Sequence, residues 1–271
     1  MTAVDLHPVR ASDALPGAVW AALGTVMDPE LDEPITDLGF VASHHLEPTG
    51  DGRVDVEVHL RLPTSFCAPN FAYLIAADAQ DALTALDELR DVAVWLDDHH
   101  DSTKINSGLA AGGGYRGTFE HEADDSLDEL RMIFRRKAHT AAMERSCAAL
   151  LRTSSWTVAD LHTLTLADLP SGRTTEALVR RRRDLGFATD PAALVMVDDH
   201  GRPVSEDQVP LRLRFARTTR ISVEGNAHFC RGLLATRYPG AEEDQAASAY
   251  DPAVPSSLPP APPSPSHESE H

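Results

Sequence analysis

The sequence predicts an α+β fold: a small α-β-β-α-β domain in front, a mainly helical extension with a few short strands, and a disordered tail. Three observations predict it. Val54, Val56, Val58, Leu60 and Leu62 alternate with Arg53, Asp55, Glu57, His59 and Arg61, the period of a half-buried strand. Apolar residues recur at helical spacing on both sides of that strand. The last thirty or so residues include SSLPPAPPSPSHESEH, a composition that buries too little apolar surface to offset its ordering entropy.

The elements follow in order. Leu15, Val19, Leu23 and Val26 place an amphipathic helix over 14–27, with Ser12 or Asp13 as cap. It stops at Asp28-Pro29, because proline disfavours helix for the residue before it. Residues 38–47 form a strand, and Thr49-Gly50-Asp51-Gly52 is turn chemistry leading into the alternating strand. Residues 63–70 form a loop, 70–90 a long helix, and Val92, Val94 and Leu96 a third strand. Beyond it, residues 102–119 read as a flexible loop and 124–151 as a long helix. Shorter helices follow near 157–167 and 174–186. Leu194–Val197 and Leu211–Phe215 read as strands, Thr218–Val223 as a β-rich run, and Asn226 as the cap of a last helix over 227–236. The units expected are 1–101, 102–240 and a tail over 241–271.

Composition narrows the function. The chain has 271 residues, 42% of them hydrophobic, so a core can form. It has no run approaching the roughly 20 apolar residues of a membrane span, and its first ten residues lack a signal-peptide core. A cytoplasmic protein that does not act at a membrane is expected. The net charge of −18 argues against general nucleic-acid binding. That charge is unevenly spread. Residues 1–101 carry 19 acidic and 4 basic side chains, residues 102–240 carry 17 and 20, and the tail carries 6 acids with no Lys or Arg. Complementary charge can dock the two halves or recruit an acidic partner; a solvated basic face is the alternative.

Three cysteines, Cys67, Cys147 and Cys230, are too few and too scattered for a disulfide scaffold. Cys147 falls mid-helix beside Met143 and Leu150 and reads as core. Cys67 sits in a loop that opens a helix. Unpaired N–H groups at a helix start favour the thiolate, the form that binds metal or attacks. Asp28, Glu30 and Asp37 supply carboxylates that suit iron, magnesium or manganese or steady a neighbouring ligand; solvation of the loop or capping of the next element is the plainer account. His228 and Cys230 are candidate metal ligands at the start of the last helix, against a packed cysteine and a solvated histidine. His99 or His100 could ligate a metal or solvate a loop. The glycines at 112–114 read as a hinge or interface loop, and Arg180–Arg183 as a solvated helix face with some docking role.

The run VWAALGTVMDPELDEPITDLGFV, followed by GDGRVDVEVHLRLPTSFC, resembles the domain shared by PaaD-type and SufT-type metal–sulfur cluster assembly proteins. The family pattern is an apolar helix, D-P-E, D-L-G before a strand, a hairpin, then a Thr-x-x-Cys loop ahead of a helix. Asp28, Pro29, Glu30, Asp37, Leu38, Gly39, Thr64 and Cys67 sit on it in order, within residues 14–97. One departure is Ala68, which stands between Cys67 and Pro69 where the family has Cys-Pro.

The resemblance implies an accessory maturation factor, not an enzyme, that handles iron or an Fe–S cluster transiently. Cys67 would be the ligand; Asp28, Glu30, Asp37 and Thr64 would line the site. A cluster usually needs about four thiolates, so a homodimer, a partner protein, or Cys230 and His228 would supply the remainder. Expected partners are a client metalloenzyme subunit and other Fe–S assembly proteins. The arginine-rich extension resembles those of actinobacterial members that accompany soluble di-iron monooxygenases, which implies an oxygenase client. Two other functions remain open. One is a metal-free adaptor or chaperone for an apo oxygenase subunit. The other is a thiol-dependent hydrolase pairing Cys67 with His59 or His99.

Overall fold

A computed structural model describes residues 11–119 and 127–240. The tail expected over 241–271 and the side chains of the expected caps Ser12 and Asp13 lie outside the described residues. The front of the chain runs α1 (Ala11–Leu23), α2 (Ile35–Leu38), β1 (Val41–Pro48), β2 (Val54–Leu60), α3 (Pro69–Thr84) and β3 (Leu89–Leu96). The α-β-β-α-β order read from the sequence holds, with the one-turn α2 added between α1 and β1. Gly39 closes α2 at φ 85°, a left-handed conformation that costs glycine little.

β1 and β2 pair antiparallel through the Thr49–Arg53 turn, and Gly52 takes φ 85° there. β2 and β3 pair parallel, which requires a crossover long enough to return to the same edge. α3 is that crossover. The resulting order β1-β2-β3 puts the alternating strand in the centre. Val56, Val58 and Leu60 point into a core built with Val19 and Leu23 of α1 and Ile75, Ala79 and Leu83 of α3. Their partners on the other face, Glu57 and His59, stay at least partly in water.

The rest of the chain is helical. It runs α4 (Ser102–Ala110), α5 (Gly114–Phe119), α6 (Leu127–Thr153), α7 (Arg173–Asp184) and α8 (Val209–Arg237), with short 3-10 turns at Ala159–Thr163, Leu166–Asp168 and Glu206–Gln208. A second core joins Met143, Cys147 and Leu150 of α6, Leu178 of α7 and Val209 and Ala216 of α8 to Leu161, Leu164 and Val195.

Five expectations are corrected. Residues 102–119 are two helices rather than a flexible loop. Ile105 and Leu109, four apart, bury against the first core with Phe119, and the glycines at 112–114 form the turn between the helices. Leu194–Val197 makes only single bridges, Thr165 to Leu194 and Val197 to Pro203, too short to be a strand. Leu211–Phe215 and Thr218–Val223 lie inside α8. The β-branched run Thr218, Thr219, Ile221 and Val223 is overridden because Ala216, Val223 and Ala227 share one buried face at helical spacing. Asn226 is therefore an interior residue of α8 and not a cap.

The two halves meet through charge. Arg181 of α7 grips Asp32 with Nη2 at 2.6 Å and Nε at 2.9 and 3.0 Å, both side chains buried. Arg131 of α6 pairs with Asp78 of α3, and Arg231 of α8 with Glu33. Arg182 is 1% exposed, so half of the Arg180–Arg183 run is internal structure and not the solvated face expected.

Candidate metal-handling site

The site is assembled on the loop between β2 and α3. Ala68 is the N-cap residue of α3 and Pro69 its first residue. Proline is at ease there, because its missing N–H would be unpaired anyway and its φ is already helical. Ala68 thus sets the helix start one residue beyond Cys67, which ends the loop instead of beginning the helix. Thr64 turns the loop: its Oγ1 accepts the Phe66 N–H at 3.0 Å and lies 3.9 Å from the Cys67 sulfur. Cys67 is partly exposed, and Phe66 beside it is 81% exposed.

Two histidines after β3 brace this loop. His99 Nε2 donates to the Cys67 carbonyl at 2.8 Å, and its Nδ1 accepts the Asp101 N–H at 3.1 Å. His100 Nδ1 donates to the Ser65 carbonyl at 2.8 Å, and its backbone N–H reaches the same oxygen at 3.1 Å. His100 Nε2 also lies 3.0 Å from Asp101. His99, His100 and Asp101 are the one group among the described residues whose ligand atoms all fall within 4.8 Å of one another. Both nitrogens of His99 are already committed, however, so the group reads as a brace for the cysteine loop. The sequence offered a ligand or a solvated loop for these histidines. Neither option anticipated their bonds to backbone carbonyls 35 residues or so earlier in the chain.

The acidic loop after α1 lies alongside. Asp28 is 8% exposed, and its Oδ1 accepts the N–H groups of Glu30 at 2.9 Å and Leu31 at 2.7 Å. Burial nevertheless pushes its carboxyl up to about 6. Asp37 is exposed on α2, where it accepts the Thr36 hydroxyl at 3.4 Å.

The carboxy-terminal half of α8 closes over both loops. Asn226 Nδ2 donates to Glu30 Oε1 at 3.2 Å. Arg237 donates to the carbonyls of Leu62 at 3.2 Å and Asp98 at 2.6 Å, and Tyr238 donates to Asp98 at 2.9 Å. Cys230, partly buried on this stretch, has its thiol pushed up to about 11 by burial and by the negative charges of Asp28, Cys67 and Glu30. The fold therefore brings the stretch of α8 that carries Cys230 against the loops that carry Asp28, Glu30, Thr64 and Cys67. Asp37 is not among the charges acting on Cys230. His228 is exposed, about 200° round the helix from Cys230. Cys147 is fully buried in the second core, 3.7 Å from the Met196 sulfur, its thiol pushed up to about 12.

A loop cysteine backed by oxygen donors is a donor set for iron or for an Fe–S cluster carried as cargo. Residues 17–96 match the family model described as iron-sulfur cluster assembly protein. That segment is similar to an Fe–S cluster assembly domain. Every element from the body of α1 to the end of β3 falls inside the match, as do Asp28, Glu30, Asp37, Thr64 and Cys67. The domain supports a general role in iron–sulfur cluster assembly and suggests an accessory factor rather than an enzyme. No curated protein and no solved structure matches the chain significantly. Among the described residues, no helix is long and apolar enough to cross a membrane.

Proposed function

We propose that the protein is a cytoplasmic maturation factor that holds iron or a small Fe–S cluster transiently at Cys67 and passes it to a client metalloenzyme. The observation that carries this is the placement of Cys67. The residue is partly exposed and its backbone is fixed by His99, while carboxylates stand on the neighbouring loop. An accessible thiolate can accept and release cargo, whereas a buried one like Cys147 cannot. A soluble di-iron monooxygenase is the client class we favour, from the likeness of the arginine-rich extension.

The test is iron and sulfide analysis of protein purified without oxygen, with client activity measured alongside. Cys67→Ala is expected to lower bound iron to background and to abolish client maturation while the thermal melt stays within a few degrees. Full client activity with Cys67→Ala would sink the proposal.

One observation favours a second reading, a metal-free adaptor for an apo subunit. α8 exposes Leu211, Phe215, Ile221 and Phe229, large apolar side chains available to a partner. That reading expects client binding unchanged by Cys67→Ala. A pull-down of the apo subunit with each form separates the two.

A further inference from the structure

We propose that α8 supplies a second sulfur to the cargo site, so that Cys230 and Cys67 of one chain form a two-thiol site for a small Fe–S cluster, with Asp28 beside them. The proposal rests on the function assigned to Cys67 above and adds a ligand from outside the matched domain, which ends at residue 96.

The placement of α8 makes the case. Its first half belongs to the second core through Val209 and Ala216, but Ala227 and Leu234 are buried in the first. Cys230 lies between those two contacts, three residues after one and four before the other, which puts it on the flank of the docked face. The helix is tied on either side of Cys230 to the loops that carry the other donors. Asn226 bonds Glu30 and Arg231 pairs with Glu33 on the Asp28 loop. Arg237 holds the Leu62 carbonyl ahead of Cys67, and also the Asp98 carbonyl next to His99. Because these ties come from both ends, the seat of this stretch of α8 against the two loops is a fixed feature of the fold.

The electrostatics point the same way. Cys67, Asp28 and Glu30 all act on the Cys230 thiol, and Asp28 itself is buried with no cation paired to it among its described partners. Two thiols beside a buried carboxyl form a mixed sulfur and oxygen donor set, and sulfur donors of this kind select Fe–S clusters. The sulfur and carboxylate atoms do not close into a cage as tight as that of His99, His100 and Asp101. A cluster accommodates such spacing, because its protein ligands bind different irons. Two sulfurs and one carboxylate leave the assembly short of a full ligand set, as a carrier that must release its cargo requires. The exposed Phe66 and Phe229 each stand one residue before a member of this pair, Phe66 before Cys67 and Phe229 before Cys230.

Two measurements on the full chain test this, using wild type, Cys67→Ser and Cys230→Ser, with Cys230→Ala as a second variant should serine disturb the fold. The first is dibromobimane, which fluoresces strongly only when both of its ends have alkylated thiols close together. Reduced wild type is expected to fluoresce as a monomer band and each variant to stay at background. A dark wild type, a fluorescent Cys230→Ser, or fluorescence only at twice the chain mass would overturn the proposal. The second is anaerobic loading with ferrous iron and sulfide, read by bound iron and by visible absorption. Cys230→Ser is expected to lose cluster to a chelator at least tenfold faster than wild type. Loss confined to Cys67→Ser would reject the second thiol while keeping the function assigned to Cys67. Unchanged cluster in both variants would reject both.

Discussion

Single residues set the pH response of the site and of the sheet beside it. Asp28 has its folded carboxyl raised from 3.8 to about 6, chiefly by burial. The folded state therefore binds that proton more tightly than the unfolded chain. The associated stability is full below about pH 4 and is lost as pH rises through about 6. Asp28→Asn keeps an oxygen for the Glu30 and Leu31 N–H groups but never ionises. It is expected to melt above wild type at pH 7–8, with the gap closing by pH 4, and to lose cluster binding; parallel thermal melts at the two pH values measure this. Such a trade of stability for function is what a buried binding carboxylate predicts. His59 also has a raised folded value, about 9, and its main cause is the hydrogen bond to Asp97, with Glu57 helping from the same strand. Its contribution is full below the unfolded value of about 6.5 and is lost as pH rises through about 9. Because the pairs are open to solvent, it amounts to about 1 kcal/mol or less. Wild type should exceed His59→Gln in stability at pH 6 and lose that lead by pH 10, as followed by urea denaturation.

At the scale of elements, the packing of α4 on α5 gives a sharp test. A Cβ added at Gly108 would lie 1.9 Å from the Thr118 Oγ1 and 2.7 Å from its Cβ. Alanine would improve helix propensity by about 1 kcal/mol. Overpacking typically costs about 1–3 kcal/mol, and a short β-branched side chain cannot swing clear. Gly108→Ala is expected to lower the denaturant midpoint, and Thr118→Ala added to it should restore most of the loss. These helices escaped the sequence reading because glycine fills five of the eighteen positions in 102–119. Their apolar content is just Ile105, Leu109 and a few neighbours, enough only because the first core is there to receive them. The strands at the front were legible for the opposite reason: the alternation over Val54–Leu62 is a local property that any half-buried strand displays. In α8 the local signal pointed the wrong way, since Thr218, Thr219, Ile221 and Val223 favour strands in isolation.

For the whole molecule, the uneven charge proves to be internal. Acids of the front half meet arginines of the extension at Asp32–Arg181, Asp78–Arg131 and Glu33–Arg231. The first of these is buried on both sides, and removing one partner from such a pair leaves an uncompensated charge. Asp32→Ala is expected to cost about 3–5 kcal/mol. Asp55→Ala, which breaks the exposed pair with Arg90, should cost about 1 kcal/mol or less in the same equilibrium unfolding experiment. A wild-type lead of similar size in both cases would mean that the two halves are not held by this contact.

The sequence by itself determined the α-β-β-α-β domain, the core role of Cys147 and the loop position of Cys67, because periodicity, turn residues and proline act over a few neighbours. It also pointed to the Asp28–Glu30 loop through the ordered set of residues that ends at Thr64 and Cys67. Only the tertiary structure decided that His99 and His100 hold the cysteine loop by its carbonyls, and that α8 belongs to both cores. It alone carried Cys230 to the acidic loop and left His228 outside. Those outcomes depend on contacts between residues separated by 30 to 200 positions, which no local pattern encodes.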